Sequence, residues 1–151
     1  WLGYIAVQNP TIRERVRKML FYTVSNTSSL IQYGAVGALS GSQDVIEEFR
    51  TELRARRELF YAGVRDAAPG VLSGEPPAGA FYAFPNVSAF FGKSGIKSAA
   101  DVAHGLLHKA HVACVAGEGF GTVENIRISY ATTMENLDKA LERMRKYFAS
   151  L

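Results

Sequence analysis

The stretch Asn125-Ile126-Arg127-Ile128-Ser129-Tyr130-Ala131-Thr132-Thr133-Met134-Glu135-Asn136-Leu137 decides how the chain is read. Its first half alternates with period two, Ile126, Ile128 and Tyr130 on one face and Arg127, Ser129 and Ala131 on the other, the pattern of a half-buried strand. Its second half holds a T-x-x-E capping box, Thr132 with Glu135. Leu137, Ala140, Leu141, Met144 and Phe148 follow at helical spacing, so a helix with one apolar stripe leaves the strand directly. A lone guanidinium inside an apolar strand must reach water, a carboxylate or an anionic ligand, because burying it unpaired is too costly. The pattern leaves two readings of Arg127 open. It is an exposed edge-strand arginine, or a planar fork placed to grip a carboxylate in bidentate fashion.

Working outward, Gly117-Glu118-Gly119-Phe120-Gly121 reads as a tight turn that brings backbone close to something. It lacks G-x-G-x-x-G spacing and leads into a strand, so it is no phosphate cradle. Val112 to Ala116 reads as a strand and Ser98 to Ala110 as a helix, with Ser98 and Asp101 as a capping-box variant and Val102, Leu106, Leu107 and Ala110 facing inward. Gly79 to Val87 is an aromatic-rich strand, and Val71 to Pro77 a loop or edge segment. Together these make an α+β body of roughly 80 residues. Before it, Asp44 to about Ala68 is a helix of ~25 residues, ~37 Å long, capped by Ser42, stopped by Pro69-Gly70 and buried along part of its length. Leu30 to Leu39 is small and apolar, which predicts a closely packed, buried helix with Gly41 as its C′ residue. Residues 2 to 7 read as a short buried strand, and Thr11 as the cap of a helix of about three turns carrying Ile12, Val16, Met19 and Leu20.

Composition bounds the function. The 151 residues are 48% hydrophobic and 21% charged, which excludes disordered and low-complexity readings. No apolar run approaches the ~20 residues of a membrane span. The net charge of +3 is spread over arginine runs at 13–18 and 50–57, the second interleaved with Glu47, Glu48, Glu52 and Glu58, which reads as a solvated helix face and not as a nucleic-acid surface. The single cysteine, Cys114, makes no internal disulfide and suits a cytoplasmic setting as an inert small hydrophobe. His104 and His108 lack the H-E-x-x-H context of a zinc site, so with His111 they read as structural or surface residues.

The ordered series is more specific than any of its parts. Leu2-Gly3-Tyr4-Ile5-Ala6 comes first, then a polar loop and small-residue helix with Gln32 and Ala38-Leu39, then the arginine-rich long helix. Gly79-Ala80-Phe81-Tyr82, Val115-Ala116-Gly117 with Phe120-Gly121, and Ile126 to Ala131 follow, with Asn136-Leu137 and Ala140 to Arg143 closing the series. It resembles the C-terminal part of the class I/II aminotransferases, the aspartate aminotransferase-like enzymes of fold type I that use pyridoxal 5′-phosphate (PLP), over essentially the whole chain. The resemblance implies an α/β architecture with an α+β small domain: residues 1–43 as the tail of a large PLP-binding domain, 44–70 as the connecting helix, and 71–151 as the small C-terminal domain, with its helices on a small sheet. It implies transfer of an amino group between an amino acid and a 2-oxo acid, in a cytoplasmic homodimer that touches neither nucleic acid nor membrane. A fold type I lyase or synthase, or the aminotransferase-like domain of a transcription regulator, shares the same small domain. The family's "R-[IL]-S-[YF]-A" arginine binds the substrate α-carboxylate and falls on Arg127. Its "G-A-F-Y" segment lines the substrate pocket and falls on Gly79, Ala80, Phe81 and Tyr82. Ser25 to Ser28 match a loop near the family's dimer interface.

The departures are as informative. The family's Schiff-base lysine sits in an S-K motif several residues before R-x-G-[YW]. Here Gly3-Tyr4 matches the end of that motif, Trp1 holds the arginine position, and none of Lys18, Lys93, Lys97, Lys109, Lys139 or Lys146 has the S-K context. The resemblance therefore implies a portion of a longer enzyme, with PLP not held covalently by this chain and no transamination by the chain alone.

Overall fold

The computed structural model describes residues 2–68 and 75–151, so Trp1, the helix stop expected at Pro69-Gly70 and the loop residues Val71 to Gly74 lie outside it. The chain divides into two compact units, residues 1–47 and 48–151.

In the first unit, residues 2–9 form no strand. The expected strand at 2 to 7 finds no ladder partner among the described residues of this unit, and an unpaired strand leaves its backbone groups to water. Helix α1 (Pro10–Val24) is capped by Asn9 and not by Thr11: Asn9 Oδ1 accepts from the N–H groups of Thr11 and Ile12 at 2.9 and 3.2 Å. Pro10 takes the first helical position, where its missing N–H costs nothing. Helix α2 (Ser29–Ser40) ends on Gly41, which is extended at φ −79° and not left-handed, its N–H donating to Gly37 O. The small apolar residues of α2 were expected to be packed, yet none is buried. Two helices in a unit this small offer too little surface to cover one another.

Helix α3 (Asp44–Ala67) begins with Ser42 Oγ accepting from Asp44 N. Val45, Ile46 and Phe49 are exposed, and only Phe60, Tyr61, Val64 and Ala67 are buried, so the core takes just the last two turns. The Glu52–Arg56 pair forms at the expected spacing.

The second unit is built on a three-stranded antiparallel sheet, β1 (Tyr82–Ala83), β2 (Val115–Ala116) and β3 (Ile126–Ser129), with β3 in the centre. Tyr82 faces Ser129, Ala83 faces Ile128, Val115 faces Arg127 and Ala116 faces Ile126. The edge strands are shorter than the aromatic and apolar runs suggest. Pro85 cannot donate to a ladder, and beyond Ala83 the pairing is reduced to a single bridge, Asn86 with Asn125. Helices α4 (Ala99–Ala110) and α5 (Met134–Ala149) pack with the buried end of α3 around Ile126, Ile128 and Tyr130.

Ser98 caps α4 as expected, accepting from Asp101 N, while Asp101 Oδ2 accepts from Lys97 N. Leu107, expected inside, is exposed; Ala99, Val102, Gly105, Leu106 and Ala110 make the inner stripe. His111 closes α4 in the left-handed conformation, φ 55°. The cap of α5 falls one residue later than the T-x-x-E reading placed it. Thr133 Oγ1 accepts from Asn136 N, and Thr132 Oγ1 accepts from the Asn136 side chain.

Gly105 is where α4 meets α5. A Cβ there would stand 1.9 Å from the hydroxyl of Tyr147, a buried ring with no room to swing out. Helix propensity favours alanine over glycine by about 1 kcal/mol, but overpacking costs about 1–3 kcal/mol. Gly105→Ala is therefore expected to lower stability in urea unfolding, with Tyr147→Leu restoring part of the loss. A more stable Gly105→Ala protein would contradict this packing.

Candidate active site

Alternation along β3 buries Ile126 and Ile128 in the core and leaves Arg127 half-buried on the opposite face, beside Tyr82 and Ser129. The guanidinium carbon of Arg127 lies over two rings, 4.5 Å from the centre of Tyr82 and 4.1 Å from that of Phe120. No carboxylate among the described residues pairs with it. Stacking occupies the faces of a guanidinium and leaves the in-plane N–H donors available, so the group keeps its fork for a planar anion. Arg127 sits on the central strand and not on an edge.

Sequence reasoning singled out Gly79, Ala80, Phe81, Tyr82 and Arg127, and the structure brings Tyr82 directly to Arg127. Phe81 lies against Tyr82 with ring centres 4.6 Å apart and planes inclined by 44°. Gly79, Ala80 and Phe81 line a cavity of about 420 Å³ together with Arg54, Arg57 and Tyr130. Ala80 holds φ +62°, a left-handed conformation that L side chains rarely adopt. Tyr130 fixes it from beneath: its hydroxyl donates to Ala80 O at 3.2 Å and its N–H to Phe81 O at 3.0 Å. Burial raises the Tyr130 phenol pKa, with Arg57 opposing, so the hydroxyl remains a donor at neutral pH. Arg57 donates to Pro77 O at 2.9 Å and ties the start of the same segment to α3.

Two parts of this arrangement escaped the sequence reading. Phe120, inside the glycine turn, was visible as part of the ordered motif series, but nothing in the sequence placed its ring on Arg127. The Tyr130 clasp on Ala80 joins residues fifty apart, which no local pattern reports. Ser25 to Ser28 belong to the first unit, where they connect α1 to α2, with Ser25 at φ 57°.

The remaining reactive groups do not build a second chemistry. Burial pushes the Cys114 thiol up to about 11, so at neutral pH it stays protonated and inert. His104 and His108 sit side by side on the exposed side of α4, their rings tilted to one another, and no group of three or more potential metal ligands occurs among the described residues. All six lysines are exposed, and none lines the cavity beside Gly79 to Phe81. A lysine that holds a cofactor as a Schiff base needs a desolvated setting. Exposed lysines of this kind do not supply that setting, and what Arg127 offers is an unpaired planar guanidinium. Among the described residues, no helix is long and apolar enough to cross a membrane.

Residues 2–144 match the family model of the class I and II aminotransferases. The aspartate aminotransferase of Bacillus subtilis (strain 168) is 36% identical over 146 residues, covering 97% of this chain and 36% of that relative. The asparagine–oxo-acid transaminase of Streptococcus mutans is 37% identical over the same shares of the two chains. The crystal structure of an aromatic aminotransferase from Pyrococcus horikoshii OT3 superposes with a TM-score of 0.82 at 33% identity, covering 92% of this chain and 36% of that one. The chain thus spans about a third of the length of the relatives it matches.

Proposed function

The chain belongs to the class I and II aminotransferases, and from that premise we propose that the complete protein moves an amino group between an amino acid and a 2-oxo acid, with this portion binding the substrate α-carboxylate through Arg127. The observation that carries the reading is the unpaired, ring-supported guanidinium at the centre of β3. A carboxylate bound edge-on to that fork is held at both oxygens, which fixes the direction of the bonds at the neighbouring α-carbon. Gly79 to Tyr82 form the adjoining wall and shape which side chain fits.

The family implies PLP, which supplies an electron sink for the amino acid's α-carbon when bound. In this reading no lysine of this chain holds it covalently, and the chain's own contribution is orientation. Operation as a cytoplasmic homodimer belongs to the same proposal. It is supported by a lone inert cysteine that needs no oxidising compartment, and by the large apolar side chains the first unit exposes.

The test is an amino-transfer assay of the complete protein with a panel of amino acids against 2-oxo acids, beside the amines that lack the α-carboxylate. Transfer from amino acids and not from the matched amines is expected. No transfer from any amino acid, or equal transfer from the amines, would sink the reading.

A further inference from the structure

The glycine turn before β3 is a sequence feature to which the carboxylate grip alone gives no role. It spans Gly117–Phe120 as one turn of 3-10 helix, closed by Thr122 N donating to Gly117 O at 3.2 Å and Gly121 N to Glu118 O at 3.3 Å. Gly117 has no room for a side chain, since a Cβ would stand 2.6 Å from the carbonyl oxygens of Asn125 and Thr122. Gly121 leaves the turn at φ +85°. The glycines thus serve two needs, close backbone approach and a left-handed exit. The one large side chain on the turn is Phe120. Its ring lies 4.1 Å from the guanidinium carbon of Arg127 and is braced edge-on by Phe84, with ring centres 6.0 Å apart. Phe84 is itself tied to the strand entry, where Asn125 Nδ2 donates to Phe84 O at 2.8 Å.

We propose that Phe120 is a positioning residue for the carboxylate site: the glycine turn exists to set its ring on the Arg127 guanidinium, so that with Tyr82 it holds the fork in one plane before substrate arrives. The inference rests on Arg127 being the carboxylate grip. An arginine side chain has rotamer freedom to lose on binding. Rings that settle its plane beforehand reduce that loss, as preorganisation does generally. The attraction of a cation to a ring face adds to it.

The experiment is steady-state kinetics of the complete protein carrying Phe120→Leu, Phe120→Trp or Arg127→Ala. Inhibition by 3-phenylpropanoate, which has the carboxylate and no amine, is compared with inhibition by 2-phenylethylamine, which has the amine and no carboxylate. Phe120→Leu keeps apolar bulk and removes the π face. It is expected to raise the amino-acid KM about fivefold and to weaken 3-phenylpropanoate equally, with kcat and 2-phenylethylamine nearly unmoved, while Phe120→Trp stays close to wild type. Equal weakening of both inhibitors, or an unchanged KM in Phe120→Leu beside a raised one in Arg127→Ala, would overturn the role of Phe120 and leave that of Arg127 standing. An Arg127→Ala protein with unchanged KM would remove the reading beneath both.

Discussion

Arg127→Ala in the complete protein is expected to lower kcat/KM for the amino acid by about 10²- to 10³-fold, most of it as a rise in KM. Two charge-assisted hydrogen bonds to a carboxylate are worth about 1.5–3 kcal/mol each. At the lower end of that range, losing the pair costs about 3–4 kcal/mol, and each 1.4 kcal/mol is a factor of ten. The loss is expected to fall on binding because the guanidinium meets the end of the substrate that does not react. Arg127→Lys separates charge from shape. An ammonium keeps the positive charge and loses the planar fork, so it should recover part of the affinity and little of the orientation. The fold should tolerate both changes, since Arg127 points away from the core that Ile126 and Ile128 fill. Unchanged kcat/KM in Arg127→Ala would end the assignment.

Phe60→Ala is expected to produce the largest loss of stability, about 3–5 kcal/mol, the range for removing a fully buried aromatic side chain. Phe60 is 1% exposed and sits among Tyr61 of its own helix, Tyr130 at the end of β3 and the inner face of α5, its ring centre 6.3 Å from that of Tyr130. The cavity would open beside the tyrosine that clasps Ala80, so the damage reaches the Gly79–Tyr82 wall without touching it. A fall in the urea midpoint at unchanged m-value, with amino-acid KM also raised, is the expected pair of results. Phe60→Leu refills most of the volume and should cost less than about 1.5 kcal/mol. If the two variants proved equally unstable, the packing argument would fail.

What the sequence reveals depends on how local the cause is. The alternation at 126–130, the stripe of α5 and the extent of α3 follow from short-range periodicity, and each appears where the pattern puts it. Caps slid by one or two positions because neighbouring residues compete for the same N–H groups: Asn9 over Thr11, Thr133 over Thr132. The buried strand at 2 to 7 and the buried helix at 30 to 39 failed for another reason. Apolar composition reports that a segment seeks a partner and says nothing about whether the same chain provides it. At the site, Arg127 and Tyr82 were visible as a pattern and as a family motif. Phe120 and the Tyr130 clasp depend on contacts between distant segments, and at Gly105 only the neighbouring helix reveals that a side chain cannot fit.

The register of β3 is pinned from outside the strand, by the Asn86–Asn125 bridge and by Asn125 reaching Phe84 O. A one-residue slip would turn Arg127 into the core and both isoleucines out to water. The same error would take the guanidinium from its rings and lose the folding energy together. In evolutionary terms, this strand can drift by substitution but not by insertion or deletion. A change of length here would disturb the fold and the position of Arg127 at once.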